Sequence, residues 1–428
     1  MKKINPLLLL AVLVSMLSLS SYAQTTRTWD GDAATNNMNT ASNWSGDTLP
    51  SGSNDTALWD GTVASALTLQ WQTAGLGNTT TGLNLSIAAT NTDTLNIGGN
   101  TTSGSLSLQA ITIANGAGAF SLGDGGTDRV TFRGTNTLTN NDNDTAVIGS
   151  SVIFANGGGI NNREIAFGGS GDWTVDAVLK SSGSGSFDVT KSGSGTLTLT
   201  ATNTGNNGNN NAPGGNGMSA LTVNAGTVVA SGTGSLGGGP VAVNAGTLLV
   251  TGDNSTATGT VTVATTGTLS GTGTIGGVTS VSGELSTGNG GIGSLAFADN
   301  LSLDSNSDFV FDLTGGSSSA DLADVTGDLS LGGTLSLTQL GTFTAGDKFT
   351  LFAYDGTLSG AFTNATSTIT AAGGTWLVNY ADTLAGLNGG SGNAYVTITA
   401  VVPEPGSFAL LTGGLAVLFV RRRQTQRG

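Results

Sequence analysis

Chemistry in this chain has to come from carboxylates, hydroxyls and a few basic groups. Its 428 residues include no His and no Cys. That removes Ser-His-Asp and Cys-His nucleophile arrangements, imidazole and thiolate metal ligands, disulfides and a histidine pH switch. The carboxylates that remain close together are Asp304-Ser-Asn306-Ser-Asp308, Asp142-Asn143-Asp144, and Asp30 with Asp32 beside Trp29. The first has the spacing of a calcium loop, but Phe309 stands where such a loop needs Gly, and no bidentate Glu follows. Alternation instead makes Asp304, Asp308 and Asp312 exposed strand or turn residues, and Asp142–Asp144 reads as a turn. Between residues 192 and 295 there is no Lys or Arg, and only Asp253 and Glu284 carry charge. The expectation is a protein with no catalytic residue, no cofactor and no metal.

The elements that would carry any site are strands. Apolar residues alternate with Thr or Ser in Leu197-Thr-Leu199, Leu221-Thr-Val223 and Ile111-Thr-Ile113, the period of half-buried strands. With 70 Gly in the chain, helices are disfavoured. The turns repeat too: Val223-Asn224-Ala225-Gly226-Thr227-Val228 returns as Val243-Asn244-Ala245-Gly246-Thr247-Leu248, with looser copies around Gly267 and Gly283. A period near twenty residues of short strands and Gly/Asn turns predicts the coils of a parallel β-solenoid, each burying its thin apolar stripe on its neighbours. Stacked coils would set Asn224 over Asn244 as an amide ladder. Trp29, Trp44, Trp59 and Trp71 crowd the N-terminal part, where they would plug the end of the stack or, alternatively, stack on sugar rings. Longer apolar and aromatic residues return over 296–400, from Phe297 to Tyr395, and predict broader coils or a β-rich cap.

Lys191-Ser-Gly-Ser-Gly-Thr-Leu-Thr-Leu199, followed by Leu221-Thr-Val-Asn-Ala-Gly-Thr-Val-Val229, resembles the autotransporter-associated β-strand repeat. The resemblance covers residues 190–250 and implies a right-handed parallel β-helix of the passenger type. The Asn/Gly-rich stretch 205–217 departs from it and reads as a loop bulging from one coil. No C-terminal barrel of amphipathic strands accompanies the repeat, so the family's secretion mechanism does not carry over.

Both ends read as addresses. Lys2 and Lys3, the apolar run Leu7–Leu19 and Ser21-Tyr22-Ala23 form a secretory signal peptide, cleaved between Ala23 and Gln24. At the other end come Pro403-Glu404-Pro405, an apolar run over 406–420 and then Arg421, Arg422 and Arg423. Fifteen or so apolar residues make a short transmembrane helix, and the arginines hold its end on the cytoplasmic side. This order resembles the PEP-CTERM sorting signal. The resemblance implies that an exosortase-type enzyme recognises Pro403, Glu404 and Pro405 as substrate, removes the anchor and releases the body to the outer surface or matrix.

Residues 24–402 hold 26 acidic groups against 7 basic ones, so the body repels nucleic acid. The organisation predicted is a signal peptide over 1–23, a Trp-containing β cap over 24–100, solenoid repeats over 101–295, β-rich coils or cap over 296–402 and a sorting tail over 403–428. The reading is an all-β exported protein of the envelope or extracellular matrix, structural or adhesive. Its partners are the Sec machinery, an exosortase-type enzyme, the membrane transiently through the tail, and extracellular polysaccharide as the candidate surface ligand. Two alternatives stand beside it. One is a carbohydrate-active β-helix, a lyase or hydrolase built on clustered carboxylates. The other is a surface protein that keeps its anchor.

Overall fold

A computed structural model describes residues 24–33, 35–50, 55–71, 82–99, 105–123, 128–156, 163–179, 187–203, 217–314 and 320–401. The chain divides into two compact units, Met1–Gly185 and Ser186–Gly428. Among the described residues the one helical element is a 3-10 turn at Ala41–Asn43; everything else regular is strand.

In the first unit three parallel ladders form as the chain coils. One runs from Thr26–Thr28 through Thr56–Trp59 and Leu83–Ile87 into the second halves of Ser105–Ile113 and Asp128–Asn140, then Arg163–Gly168. A second joins Leu67–Trp71, Leu95–Gly99, Phe120–Leu122, Ala146–Ile148 and Trp173–Val175. The third joins the first halves of the two long strands to Val152–Asn156. Strict alternation puts one side chain type on the inside of every coil. Thus Leu69, Ile97, Leu122, Ile148 and Val175 stack in register, as do Ala57, Leu85, Ile111, Leu138 and Phe167, all buried. The segment from Asn36 to Ser45 covers the open edge of the first coil: Gln70 donates to Asn36 O, Met38 donates to Gln70 O, and Ser45 donates to Thr28 O.

The second unit repeats the plan. Phe187–Lys191 and Ala220–Val223 lead a ladder that continues through the first halves of Val241–Val250 and Val261–Gly271 to Thr279–Val281, Leu301–Leu303, Leu329–Leu331 and Leu358–Gly360. A second ladder stacks Leu197, Val228, Leu248, Leu269, Leu285, Phe309 and Leu335 in one buried column. The third begins as two-residue strands, Asp253–Asn254 and Thr274–Ile275, and widens through Ser294–Phe297 and Leu322–Val325 to Lys348–Tyr354. These two units have the pairing of a parallel β-solenoid: each strand bonds to its equivalent one coil on.

Backbone stacks on backbone closely enough that the turn glycine has a specific role. Gly246 has φ +80°, and a Cβ added there would lie 2.4 Å from Gly226 O on the coil below. Gly226 itself has φ +67° and is hemmed in by Gly193 O and Gly195 O at 2.4 Å. Only a residue without Cβ accepts both the left-handed turn and the contact.

Lys348–Tyr354 ends the parallel stacking. It pairs antiparallel with Ala394–Ala400, which pairs antiparallel with Gly374–Asp382, and that strand with Thr368–Ala371. The Thr368–Asp382 hairpin turns at Ala372 and Gly373, both with positive φ, 51° and 70°, as a two-residue primed turn requires. Trp376, Phe349, Ile398 and Val378 face the core from this terminal sheet. The proposed signal peptide and the C-terminal transmembrane helix lie outside the described residues. Among those described, no helix is long and apolar enough to cross a membrane.

Candidate functional site: the processing tail and the cap that holds it

The predicted processing residues fall on both sides of the described body. Ala23, Pro403, Glu404, Pro405, Arg421, Arg422 and Arg423 lie outside the described residues. Gln24 is the first one described; it is exposed, and its Nε2 donates to Thr56 Oγ1 at 3.0 Å. At the other end, Ala400 N–H donates to Asp347 O at 2.9 Å and Val401 N–H to Thr375 O at 2.9 Å, while Gly346 donates to Ala400 O. The chain is therefore held by a sheet up to two residues before Pro403.

The sheet at this exit has one face on the core and one outside. Lys348, Thr399, Leu377 and Thr368 stand in register across its four strands and share the outer face. Lys348 Nζ is 3.1 Å from Asp382 Oδ2 and donates to Leu384 O at 2.8 Å. Burial pushes the Asp382 carboxyl up, but the Leu384 N–H, the Thr397 hydroxyl and the Lys348 ammonium outweigh it and leave the group below the usual carboxylate range. The loop after Asp382 folds over part of this face. Gly386 N–H donates to Thr350 Oγ1 at 2.7 Å, and Thr350 and Thr397 are fully buried beneath it.

Asn388 and Asp321 fix that loop to the coils, and nothing in the sequence pointed to either. The Asn388 amide accepts from Thr350 N–H at 2.7 Å and donates to Thr350 O and Asp321 O, each at 2.8 Å. Asp321 is fully buried. Its carboxylate accepts from Gly293 N–H at 2.8 Å and Asp312 N–H at 2.9 Å. Burial nevertheless pushes its carboxyl up to about 7; the two backbone N–H groups pull it down, and the Asp312 charge adds to the rise.

The other carboxylate groups bind their own backbone or cross-coil hydroxyls. Asp304 is exposed and closes a turn, accepting from Asn306 N–H at 2.7 Å and from the Ser282 hydroxyl at 2.5 Å. Asp308 accepts from Thr334 and Ser336 hydroxyls on the next coil, at 2.9 and 2.8 Å. Asp142 is buried and accepts from Gly116 N–H and Asp144 N–H. Asp253 is exposed, and the Ser255 N–H and hydroxyl lower its carboxyl. Among the described residues no group of three or more Asp or Glu could hold a metal ion.

Asn224 and Asn244 meet across adjacent coils: Asn244 Nδ2 donates to Asn224 Oδ1 at 2.9 Å, on the exposed side. The next coil carries one extra residue here, the register slips, and Thr266 Oγ1 bonds to Asn244 O instead. All four N-terminal Trp are buried, Trp29 edge-to-face on Trp44 at 5.1 Å and Trp44 on Trp59 at 5.7 Å. Trp44 Nε1 donates to Met38 O at 2.9 Å, while Trp29, Trp59 and Trp71 bury indole N–H groups without a partner. No ring of the four presents a face for a sugar to stack on. Lys191, also buried, takes the core position stacked on Val223, and its ammonium donates to Gly193 O.

No curated protein matches the chain. Residues 401–424 match the PEP-CTERM protein-sorting motif, which implies export, association with the cell envelope and processing by an exosortase-type enzyme.

Proposed function

We propose that this protein is a structural, non-enzymatic display scaffold of the envelope or extracellular matrix, a right-handed solenoid whose tail is a cleavable anchor. The carrying observation is the sorting motif over residues 401–424, placed directly after a sheet that holds the chain to Val401. Pro403, Glu404 and Pro405 serve as substrate for the sorting enzyme. The backbone pairing up to Val401 places the sorting motif next to a folded sheet, and its two prolines disfavour helix at the recognised residues. Right-handed coiling is supported by the strong preference of parallel crossovers for that hand, and by the resemblance to passenger-type repeats. A scaffold role is supported by the engagement of Asp142, Asp304, Asp308 and Asp321 in holding turns and coils together. Adhesion to polysaccharide would use the exposed coil faces and not the buried Trp.

Intact-mass spectrometry of the surface fraction tests the proposal. The expected species begins at Gln24 and has lost Arg421–Arg423, and Glu404→Ala leaves the tail on. Surface protein that keeps the three arginines with wild-type Glu404 would mean a permanent anchor. Cleavage of a polysaccharide panel by the purified chain would overturn the non-enzymatic part.

A further inference from the structure

Every exposed Leu among the described residues lies between 340 and 387: Leu340, Leu377, Leu384 and Leu387. Three of them belong to the sheet and loop at the chain exit. Leu377, 51% exposed, shares the outer row with Lys348 and Thr399. Leu384, 69% exposed, lies in the loop over that face, and its carbonyl receives the Lys348 ammonium. Leu387 N–H donates to Lys348 O at 2.7 Å, and its side chain is 43% exposed. Val401 pairs with Thr375, two residues from Leu377 on the same strand. Leu384 and Leu387 both bond to Lys348 through their backbones, and Leu377 lies in its cross-strand row; exposed apolar side chains set around one position mark a candidate contact surface.

We propose that this leucine-bearing face of the cap lies on the surface of a lipid bilayer while the tail is inserted. The inference rests on the tail entering the membrane, as in the reading above. The apolar run starts at Gly406, five residues beyond Val401. Five extended residues span about 18 Å, so an inserted run holds the chain exit within that distance of the hydrocarbon edge. The interfacial layer takes up roughly 5 to 8 Å of it. The outer row carries no uncompensated charge, because Lys348 is paired with Asp382. A second copy of the chain fits the face less well. Each body carries 26 acidic groups against 7 basic ones, so two copies repel, whereas a zwitterionic lipid surface does not. Docking in this way would hold Pro403-Glu404-Pro405 close to the bilayer surface.

The absence of Cys makes the test direct. Single-cysteine full-length chains, Leu384→Cys, Asn224→Cys and Ala416→Cys, carry an environment-sensitive fluorophore and are reconstituted into phosphatidylcholine vesicles containing headgroup-labelled or acyl-chain-labelled quencher lipid. The expected result is acyl-chain quenching at residue 416, a blue shift with headgroup-level quenching at residue 384, and neither at residue 224. A probe at Leu387→Cys should show the same headgroup-level quenching in the otherwise unaltered chain and lose it in the Leu377→Asp, Leu384→Asp background, while residue 416 keeps its own. A quenched residue 416 with an unquenched residue 384 refutes the docking alone. An unquenched residue 416 refutes the inserted tail, and the docking with it. A blue shift at residue 384 without lipid quenching assigns the face to a second copy and overturns the proposal.

Discussion

Gly246→Ala should be far more harmful than its size suggests. The position has φ +80°, and the left-handed conformation costs a residue with Cβ about 1–2 kcal/mol. The new methyl would also sit 2.4 Å from Gly226 O and 3.0 Å from Ala225 C. That carbonyl cannot swing away freely, because it accepts from Thr247 N–H at 2.9 Å. Forcing the rungs apart adds about 1–3 kcal/mol, the usual range for overpacking, for a total of about 2–5 kcal/mol. Gly290→Ala separates the two contributions. Gly290 has φ +73° but nothing within 4 Å of an added Cβ, so only the conformational cost of about 1–2 kcal/mol applies there. Urea unfolding followed by far-UV circular dichroism gives both midpoints, with an unchanged slope expected. Equal shifts for the two variants would refute the close stacking of turn on turn.

Other outcomes follow from the same geometry. The folded-state value of Asp321, about 7, lies above its ordinary 3.8, so the neutral acid is the form the fold favours. Its contribution is complete below the ordinary value and is lost as pH rises through about 7, a difference of a few kcal/mol. Stability of the wild type relative to Asp321→Asn, measured by denaturant unfolding, should fall between pH 4 and pH 8, and a constant difference would contradict this. For the amide ladder, a double-mutant cycle of Asn224→Ala and Asn244→Ala should give a coupling near 0.5–1 kcal/mol, as an exposed neutral hydrogen bond allows; zero coupling would mean the bond adds nothing. All six Trp are buried, so native emission should be blue-shifted, resist acrylamide and stay unchanged on adding polysaccharide. Quenching by a sugar polymer would show an indole open to ligand.

What could be read from the sequence depended on how regular the coils are. Leu221, Val241 and Val261 stack one over the other, and the repeat Asn-Ala-Gly-Thr announces the turn that sets their register. The first unit has equally clean columns, such as Leu69, Ile97, Leu122, Ile148 and Val175, but its turns share no motif and its coil lengths vary, so its register was not legible. The third ladder was hidden as well, because strands of two residues such as Asp253–Asn254 are too short to show alternation. The sorting tail was legible because an enzyme reads it as linear sequence. Asp321 and Asn388 were not: their partners lie 28 residues away at Gly293 and 67 residues away at Asp321, and a single polar residue just before a strand or in a turn carries no local mark of such a contact.

Disulfide trapping tests the coil-on-coil body most directly, since the native chain contributes no thiol. Neighbouring parallel strands lie about 4.8 Å apart, within the Cα separation a disulfide bridges. The chain carrying Asn224→Cys and Asn244→Cys should close an intramolecular disulfide on mild oxidation, whereas Thr222→Cys with Ser280→Cys, three coils apart, should not. Failure of the first pair to close, or equal closure of both, would contradict the stacked body on which the scaffold role depends.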